Sequence, residues 1–403
     1  MRTTLMLHWP AFVLRCALWS FVVASAPARS AAPEAGVAPF SMAGEFVFID
    51  VIVGDSQPLS FIFDTGAGTT ALNASTSARL GLVSQRKERA SGAAESFEVE
   101  SIRDVALQVA GVALGEFTVQ STDLSHLERS IGRRIDGIIG FHLLKRNVVA
   151  INYDTSQLSI FPSKKDYPRS GKRVRLKTRN HATTRMTLVL ADSDKIDAKF
   201  ILDNGAGIAV GLSTPFVNKH DLIERMGAEH TIRSRGFSNA RPTVRRARIP
   251  ELEVAGFIFK NVPASLYDVK RGFFSEKRQA GVIGNAILKR FNIIFDYPNR
   301  QSWWTPNERF ADAPFAVNGS GLSLTLDNDM ARVLVEDVQP DSPAALAGLR
   351  IDDELVAIDE LIVGDTPLHL LESRLDADAQ SVSIRFLRKG IERTVTFELQ
   401  APY

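Results

Sequence analysis

Cysteine is nearly absent from this chain of 403 residues: the only one is Cys16. That excludes a disulfide framework and a cysteine-based zinc site. An excess of one charge is also missing. Lys plus Arg number 48 and Asp plus Glu 46, a net charge of +2, so no global field gathers nucleic acid and no nucleic-acid partner is expected. His126, His142, His181, His220, His230 and His369 fall at no metal-ligating spacing, HExxH included. No metal and no other cofactor is expected. Beyond the first thirty residues no apolar run reaches the ~20 residues of a membrane span. What remains is ordinary for a folded protein, with 45% apolar and 23% charged residues. At ~100–200 residues per domain, the length predicts two to four domains.

Residues 1–32 read as an export signal. Arg2 and Arg15 supply positive charge, Cys16 to Val23 is a short apolar core, and Ala24 to Ala32 is rich in small residues. Cleavage is expected between Ala26 and Ala32, leaving a periplasmic or secreted protein without an integral membrane span. The alternative is a single membrane anchor, which Arg15 and His8 interrupt.

The remaining chain repeats itself. Phe61-Ile62-Phe63-Asp64-Thr65-Gly66-Ala67-Gly68 returns as Phe200-Ile201-Leu202-Asp203-Asn204-Gly205-Ala206-Gly207, 139 positions later. Gly137-Ile138-Ile139-Gly140 with Leu144-Lys145-Arg146 and Tyr153 returns as Gly281-Val282-Ile283-Gly284 with Leu288-Lys289-Arg290 and Tyr297, 144 positions later. Two landmarks recurring in order predict two lobes of one fold. Each reads mostly as strand: Glu45–Val53, a turn at Gly54–Pro58, Leu59–Phe63, Val105–Val109 and Phe117–Gln120, with a short helix at Ser75–Leu80. From about Pro314 the pattern changes. Val333–Val338, Glu354–Ile358 and Val382–Phe386 read as strands. Ser342–Leu349 reads as a helix with Ser342 as N-cap, Pro343 at its first position and Gly348 ending it.

Asp64 and Asp203 each end a strand before Gly-Ala-Gly. A pseudo-twofold axis between the lobes would bring the two carboxyls face to face. At ~3 Å both cannot ionise, so they share one proton and titrate as a pair. Such a pair can deprotonate a bound water and protonate the carbonyl it attacks, which is amide hydrolysis without metal or covalent intermediate. Two rival readings stand beside this one. Gly66–Ala71 is a degenerate dinucleotide fingerprint, although Asp64 would repel the pyrophosphate. Each Asp could also simply cap its own turn.

The two units resemble retropepsin-like aspartic proteases, and as a tandem pair the two-lobed aspartic peptidases. The resemblance rests on the Asp-Thr-Gly-Ala-Gly turn and on Asp136-Gly137-Ile138-Ile139-Gly140, and covers about 270 residues. It implies catalytic roles for Asp64 and Asp203 and supporting roles for Thr65, Gly66 and Gly205. It also implies a flap near Ser91-Gly92-Ala93-Ala94. The sequence departs from the family at Asn204, where Thr or Ser usually bridges to the opposite turn, and at Ala280, the counterpart of Asp136.

Gly319–Leu324, Val333–Val338, Ser342–Leu349 and Asp352–Ile358 resemble a PDZ domain. That resemblance implies a carboxylate-binding loop at Gly321, Leu322, Ser323 and Leu324. It also implies a peptide or protein C-terminus as ligand, with Leu368, Leu371 and Leu375 on the apolar side of the groove. The alternative is a packing module whose groove is filled. Arg233, Arg235, Arg241, Arg245, Arg246 and Arg248 form a basic stretch, read either as a second flap favouring acidic substrates or as a solvated loop. Trp303 and Trp304 should alternate, one inward and one exposed.

The expected fold is therefore mostly β: two pseudo-twofold-related acid-protease lobes, residues 33–165 and 166–312, and a small α+β PDZ domain, 313–403. The expected activity is that of an aspartic endopeptidase acting on polypeptides. The alternative is an inactive protease fold that binds or scaffolds peptides, which Asn204 favours.

Overall fold

The computed structural model describes residues 36–162, 167–233, 240–311, 315–376 and 380–400. The expected export signal at 1–32 lies outside the described residues. Among the described residues no helix is long and apolar enough to cross a membrane.

β-Branched and aromatic runs form strands because their side chains pack well on a pleated, buried surface. Phe46–Val53 and Leu59–Phe63 do this in the first repeat, joined through the turn at Gly54–Pro58. In the first repeat eight strands lie side by side in the order Ser41–Ala43, Phe46–Val53, Leu59–Phe63, Gly137–Ile139, Ala71–Asn73, Val112–Thr122, Ser96–Val109 and Arg86–Ser91. In the second repeat the order is Lys177–Thr178, Ala182–Val189, Lys195–Asp203, Gly281–Gly284, Val210–Leu212, Phe257–Tyr267, Thr243–Val254 and Thr231–Arg233. The orders correspond strand for strand. Each sheet also runs its Asp-bearing strand parallel to its Gly-Ile-Ile or Gly-Val-Ile strand.

A six-stranded sheet joins the repeats. Its central pair, Asn147–Asn152 and Phe291–Asp296, is antiparallel and matches Ala150 with Ile294. Ile294 is the residue 144 positions after Ala150, the same spacing as between Gly137 and Gly281. A residue paired with its own counterpart marks where a pseudo-twofold axis crosses the sheet. One apolar cluster runs through both repeats, from Val47 and Phe63 to Phe200, Phe291 and Trp304. Trp304 is fully buried there and Trp303 only half, so the alternation places one ring inward and leaves the other partly covered.

The C-terminal strands Leu322–Leu326, Val333–Val338, Glu354–Ile358, Ser381–Arg388 and Ile391–Glu398 form their own sheet, with helices Pro343–Leu346 and Leu368–Arg374. Ser342 caps the first helix, its Oγ accepting from the Ala345 amide at 3.3 Å. That helix stops at Leu346, sooner than the sequence suggests. Leu368, Leu371 and Leu375 sit in the core of this unit with Leu322, Leu324 and Phe386. Their spacing of three and four puts them on one helix face, and that face turns into the core rather than lining an open groove.

The repeats differ beneath their Asp-bearing strands. In both, the same backbone bonds hold the motif: Asp136 N to Ser60 O and Asn73 N to Asp136 O, matched by Ala280 N to Lys199 O and Ser213 N to Ala280 O. Only the first repeat adds a carboxylate. Asp136 accepts from Thr76 Oγ1 at 2.8 Å, Arg79 Nη2 at 2.6 Å and Ser60 N at 3.0 Å. Burial would raise this carboxyl, but Arg79, Thr76 and Ser60 outweigh burial and hold it below the ordinary carboxylate range. Its contribution to stability is therefore present above the unfolded pKa of ~3.9 and is lost as pH falls through the lower folded value. Asp136→Ala should destabilise the protein at neutral pH by about 2 kcal/mol, by stranding the Thr76 hydroxyl and the Ser60 amide, while the half-exposed Arg79 turns to solvent. Urea unfolding of the two proteins should converge only at strongly acidic pH.

Candidate active site

Asp64 follows the strand Leu59–Phe63, and its amide bonds to Ile139 O at 2.9 Å. Asp203 ends the strand Lys195–Asp203, opposite Gly284 in the parallel neighbour. After each aspartate the chain turns back on itself, with Ala67 N bonding to Asp64 O and Ala206 N to Asp203 O. Phe141 N to Ala67 O and Asn285 N to Ala206 O then pin each turn to the segment after the glycine strand. This is why both landmarks recur together in the sequence: one forms the turn and the other holds it.

The two turns meet. Asp64 and Asp203 hydrogen-bond to each other through their carboxyl groups, and both are half-buried. Asp64 Oδ1 also accepts from the amides of Gly66 at 2.7 Å and Ala67 at 3.0 Å. Asp203 Oδ1 accepts from the Gly205 amide at 3.1 Å. The packing is reciprocal. A Cβ on Gly66 would overlap the Asp203 carboxyl, and one on Gly205 would overlap that of Asp64. Both glycines are needed for close approach.

Thr65 and Asn204 cross-link the turns from below, where both are buried. Thr65 Oγ1 donates to Leu202 O at 2.8 Å and accepts from Asn204 N at 3.1 Å. Asn204 Oδ1 accepts from Thr65 N at 2.7 Å. The amide side chain thus supplies the acceptor that a hydroxyl would. Its donor half is left over: Nδ2 is buried beside the Tyr153 hydroxyl without hydrogen-bond geometry. The six residues singled out around the pair, Asp64, Thr65, Gly66, Asp203, Asn204 and Gly205, are therefore brought together.

Burial raises both carboxyls above the ordinary range. Asp64 is held down by its bonds from Asp203, Gly66 and Ala67. Asp203 is raised further, by burial and then by the Asp64 charge beside it. The two carboxyls therefore titrate as one coupled pair that holds a single proton between its two steps. His181, which carries no signal in the sequence, lies against Gly68 and faces Gly66 and Asp64, with burial pushing its pKa down. Among the described residues no group of three His, Cys, Asp or Glu could hold a metal ion.

The segment expected as a flap is a hairpin turn between Arg86–Ser91 and Ser96–Val109. Its tip reaches the second repeat. Gly92 O accepts from Phe273 N at 2.8 Å and Ala93 O from Phe274 N at 3.1 Å. Ala93 packs on the same apolar cluster as Ala206 and Ile208, which flank the Asp203 turn. The catch at 272–274 left no signal in the sequence, because that contact joins residues nearly half the chain apart.

The arginines have local partners. Arg241 pairs with Glu336, Arg245 donates to Ala228 O, Arg246 to Ser265 Oγ and Arg248 to Asn261 O. Arg235 lies outside the described residues. In the C-terminal unit Leu322 and Leu324 point into the core. The Gly321 amide bonds to Asn318 Oδ1 at 3.0 Å and that of Leu322 to Ser320 Oγ at 3.0 Å. Ser323 lies between them, in the strand paired with Val333–Val338.

The raised Asp203 favours the folded state while it is protonated. That contribution is complete below the unfolded pKa of ~3.9 and is lost as pH rises through the folded value. Asp203→Asn keeps an acceptor for Gly205 and a donor for Asp64 but cannot ionise. Its melting temperature should exceed that of the wild type near neutral pH, and the difference should vanish on acidification.

A family model described as aspartyl protease matches residues 49–143. The match contains the Asp64 turn, the hairpin tip at 92–95 and Gly137–Gly140, and points to a peptidase. The Asp203 turn lies outside it. No curated protein matches the chain.

Proposed function

We propose that the protein is an aspartic endopeptidase built from two tandem lobes, residues 33–165 and 166–312. A water bound between Asp64 and Asp203 is the nucleophile. Ionised Asp64 takes its proton while protonated Asp203 donates to the substrate carbonyl oxygen, giving a tetrahedral intermediate. Proton return to the amide nitrogen then releases the amine. The observation that carries this reading is the reciprocal seating of each carboxyl on the first glycine of the opposite turn. That seating brings the two carboxyls close enough to share one proton. The substrates are polypeptides lying under the hairpin turn at 92–95. The export signal expected at 1–32 would place this activity in a periplasmic or secreted protein.

The alternative of a fold that binds without cleaving has one point in its favour, the unpaired Nδ2 of Asn204. Against it, Asn204 Oδ1 still bonds to Thr65 N at 2.7 Å, so the cross-link keeps the turns in register.

For residues 313–403, likeness to a PDZ domain implies capture of a peptide C-terminus at Gly321–Leu324. Two observations support the packing-module alternative more strongly. The amides of Gly321 and Leu322 already have internal acceptors. The strand Leu322–Leu326 packs against the helix Ser125–Ile131 of the first repeat, and Gly132 abuts Leu368. The unit is thus a docked part of the enzyme.

Asp64→Asn and Asp203→Asn should each lower cleavage of a peptide library by about 10²–10⁴. Wild-type turnover should be fastest in acidic solution, where one proton is shared, and a hydroxyl-bearing transition-state mimic should block it. Undiminished cleavage by either variant would sink the proposal. Tight peptide binding with no cleavage at any pH would establish the scaffold.

A further inference from the structure

Three elements converge on one pair of residues outside the dyad. Ala240 N donates to Glu95 Oε1 at 3.0 Å, and Glu95 belongs to the hairpin turn that reaches over the Asp203 side. The next residue, Arg241, pairs with Glu336 of the C-terminal strand Val333–Val338. Across from them, Gln339 Nε2 donates to Thr231 O at 3.0 Å. Thr231–Arg233 and Thr243–Val254 are antiparallel neighbours. The C-terminal unit therefore contacts this region at two points, Arg241 and Thr231, and Ala240 beside Arg241 holds the hairpin tip.

We propose that Glu336 and Gln339 are positioning residues for the hydrolysis: through Arg241 and Ala240 they hold the turn at 92–95 closed over the Asp64–Asp203 pair.

The link is short. Arg241 follows Ala240 directly, so the ion pair anchors the chain next to the amide that binds Glu95. Glu336 is only 10% exposed at its side chain, so solvent and salt screen this ion pair less than an open surface pair. Among the described residues the hairpin tip has few holds to replace it. Its turn closes through Gly92 N to Glu95 O at 2.8 Å, Phe273 and Phe274 donate to Gly92 O and Ala93 O, and Ala93 packs on the cluster beside the Asp203 turn. Gly272, at φ +78, fits against the same turn, where a Cβ would lie 2.6 Å from the Ala94 carbonyl carbon. A cover with so few bonds opens locally at small free-energy cost, so one lost hold changes its closed population measurably. The role proposed for the C-terminal unit follows: it biases the cover without touching substrate.

This inference rests on the peptidase reading for its effect on rate, but not for its mechanical part. The experiment uses the full chain and three variants, Glu336→Arg, Arg241→Glu and the double swap. Amide hydrogen exchange is read at Gly92, Phe273 and Phe274 without substrate, and kcat and KM are read on a cleavable peptide. Each single variant should speed exchange at these amides about fivefold and raise KM more than it lowers kcat. The double swap should restore both. Gly272→Ala, which displaces the turn directly, gives the exchange of an open cover, and Gln339→Ala should move partway towards it. Exchange at these amides that is identical in the wild type and the single variants overturns the proposal, as does a double swap no better than the singles. Exchange that responds as expected in a wild type that cleaves nothing leaves the tie standing and overturns the peptidase reading instead.

Discussion

Two carboxyl groups held in contact in partly buried turns are costly, and much of the surrounding structure offsets that cost. Two unit charges ~4 Å apart at an effective dielectric constant of ~20 repel by about 4 kcal/mol. Sharing a proton between Asp64 and Asp203 removes most of that repulsion. The amides of Gly66 and Ala67 stabilise the charge that remains on Asp64. The absence of a Cβ at Gly66 and Gly205 lets each carboxyl settle on the opposite turn. The cross-links through Thr65 and Asn204 fix the separation that makes sharing possible.

Duplication supplies two equivalent groups, but chemistry needs two that differ. The structure breaks the symmetry in several places at once. Asp136 clamps the first repeat through Thr76, Arg79 and Ser60, while Ala280 leaves the second with backbone bonds alone. Thr65 both donates and accepts across the axis, whereas Asn204 uses only its carbonyl and its backbone amide. His181 faces the Asp64 turn, while its opposite number beside Gly207 is Glu45, paired to Lys289. These differences give the two members of the pair unequal surroundings: Asp64 accepts from the Gly66 and Ala67 amides, Asp203 from the Gly205 amide.

Much of the local structure was legible because it depends on near neighbours. The alternation in Val333–Val338 and Glu354–Ile358 matches the observed strands residue for residue. The helix expected at Ser75–Leu80 runs over Ala74–Arg79, a shift of one residue. Reading failed where a side chain has two plausible uses. Leu368, Leu371 and Leu375 have helical spacing whether they line a groove or fill a core, and only the sheet packed against them decides. The arginines from Arg233 to Arg248 read as either a second flap or a solvated loop; four of them, Arg241, Arg245, Arg246 and Arg248, have acceptors in the fold.

By itself the sequence determined that the chain is mostly β, that its landmarks occur twice, and that an aspartate followed by a flexible turn ends a strand in each copy. Periodicity and repetition are properties of neighbouring residues and of spacing, so a linear text carries them. Tertiary structure alone decided that the two aspartates touch, that Asn204 completes the cross-link, and that the hairpin tip is caught at Phe273 and Phe274. It also decided that Glu336 pairs with Arg241, the residue next to the amide holding that tip. These contacts join segments far apart along the chain. The antiparallel pairing of Ala150 with Ile294 and the apolar cluster running through both repeats hold those segments together.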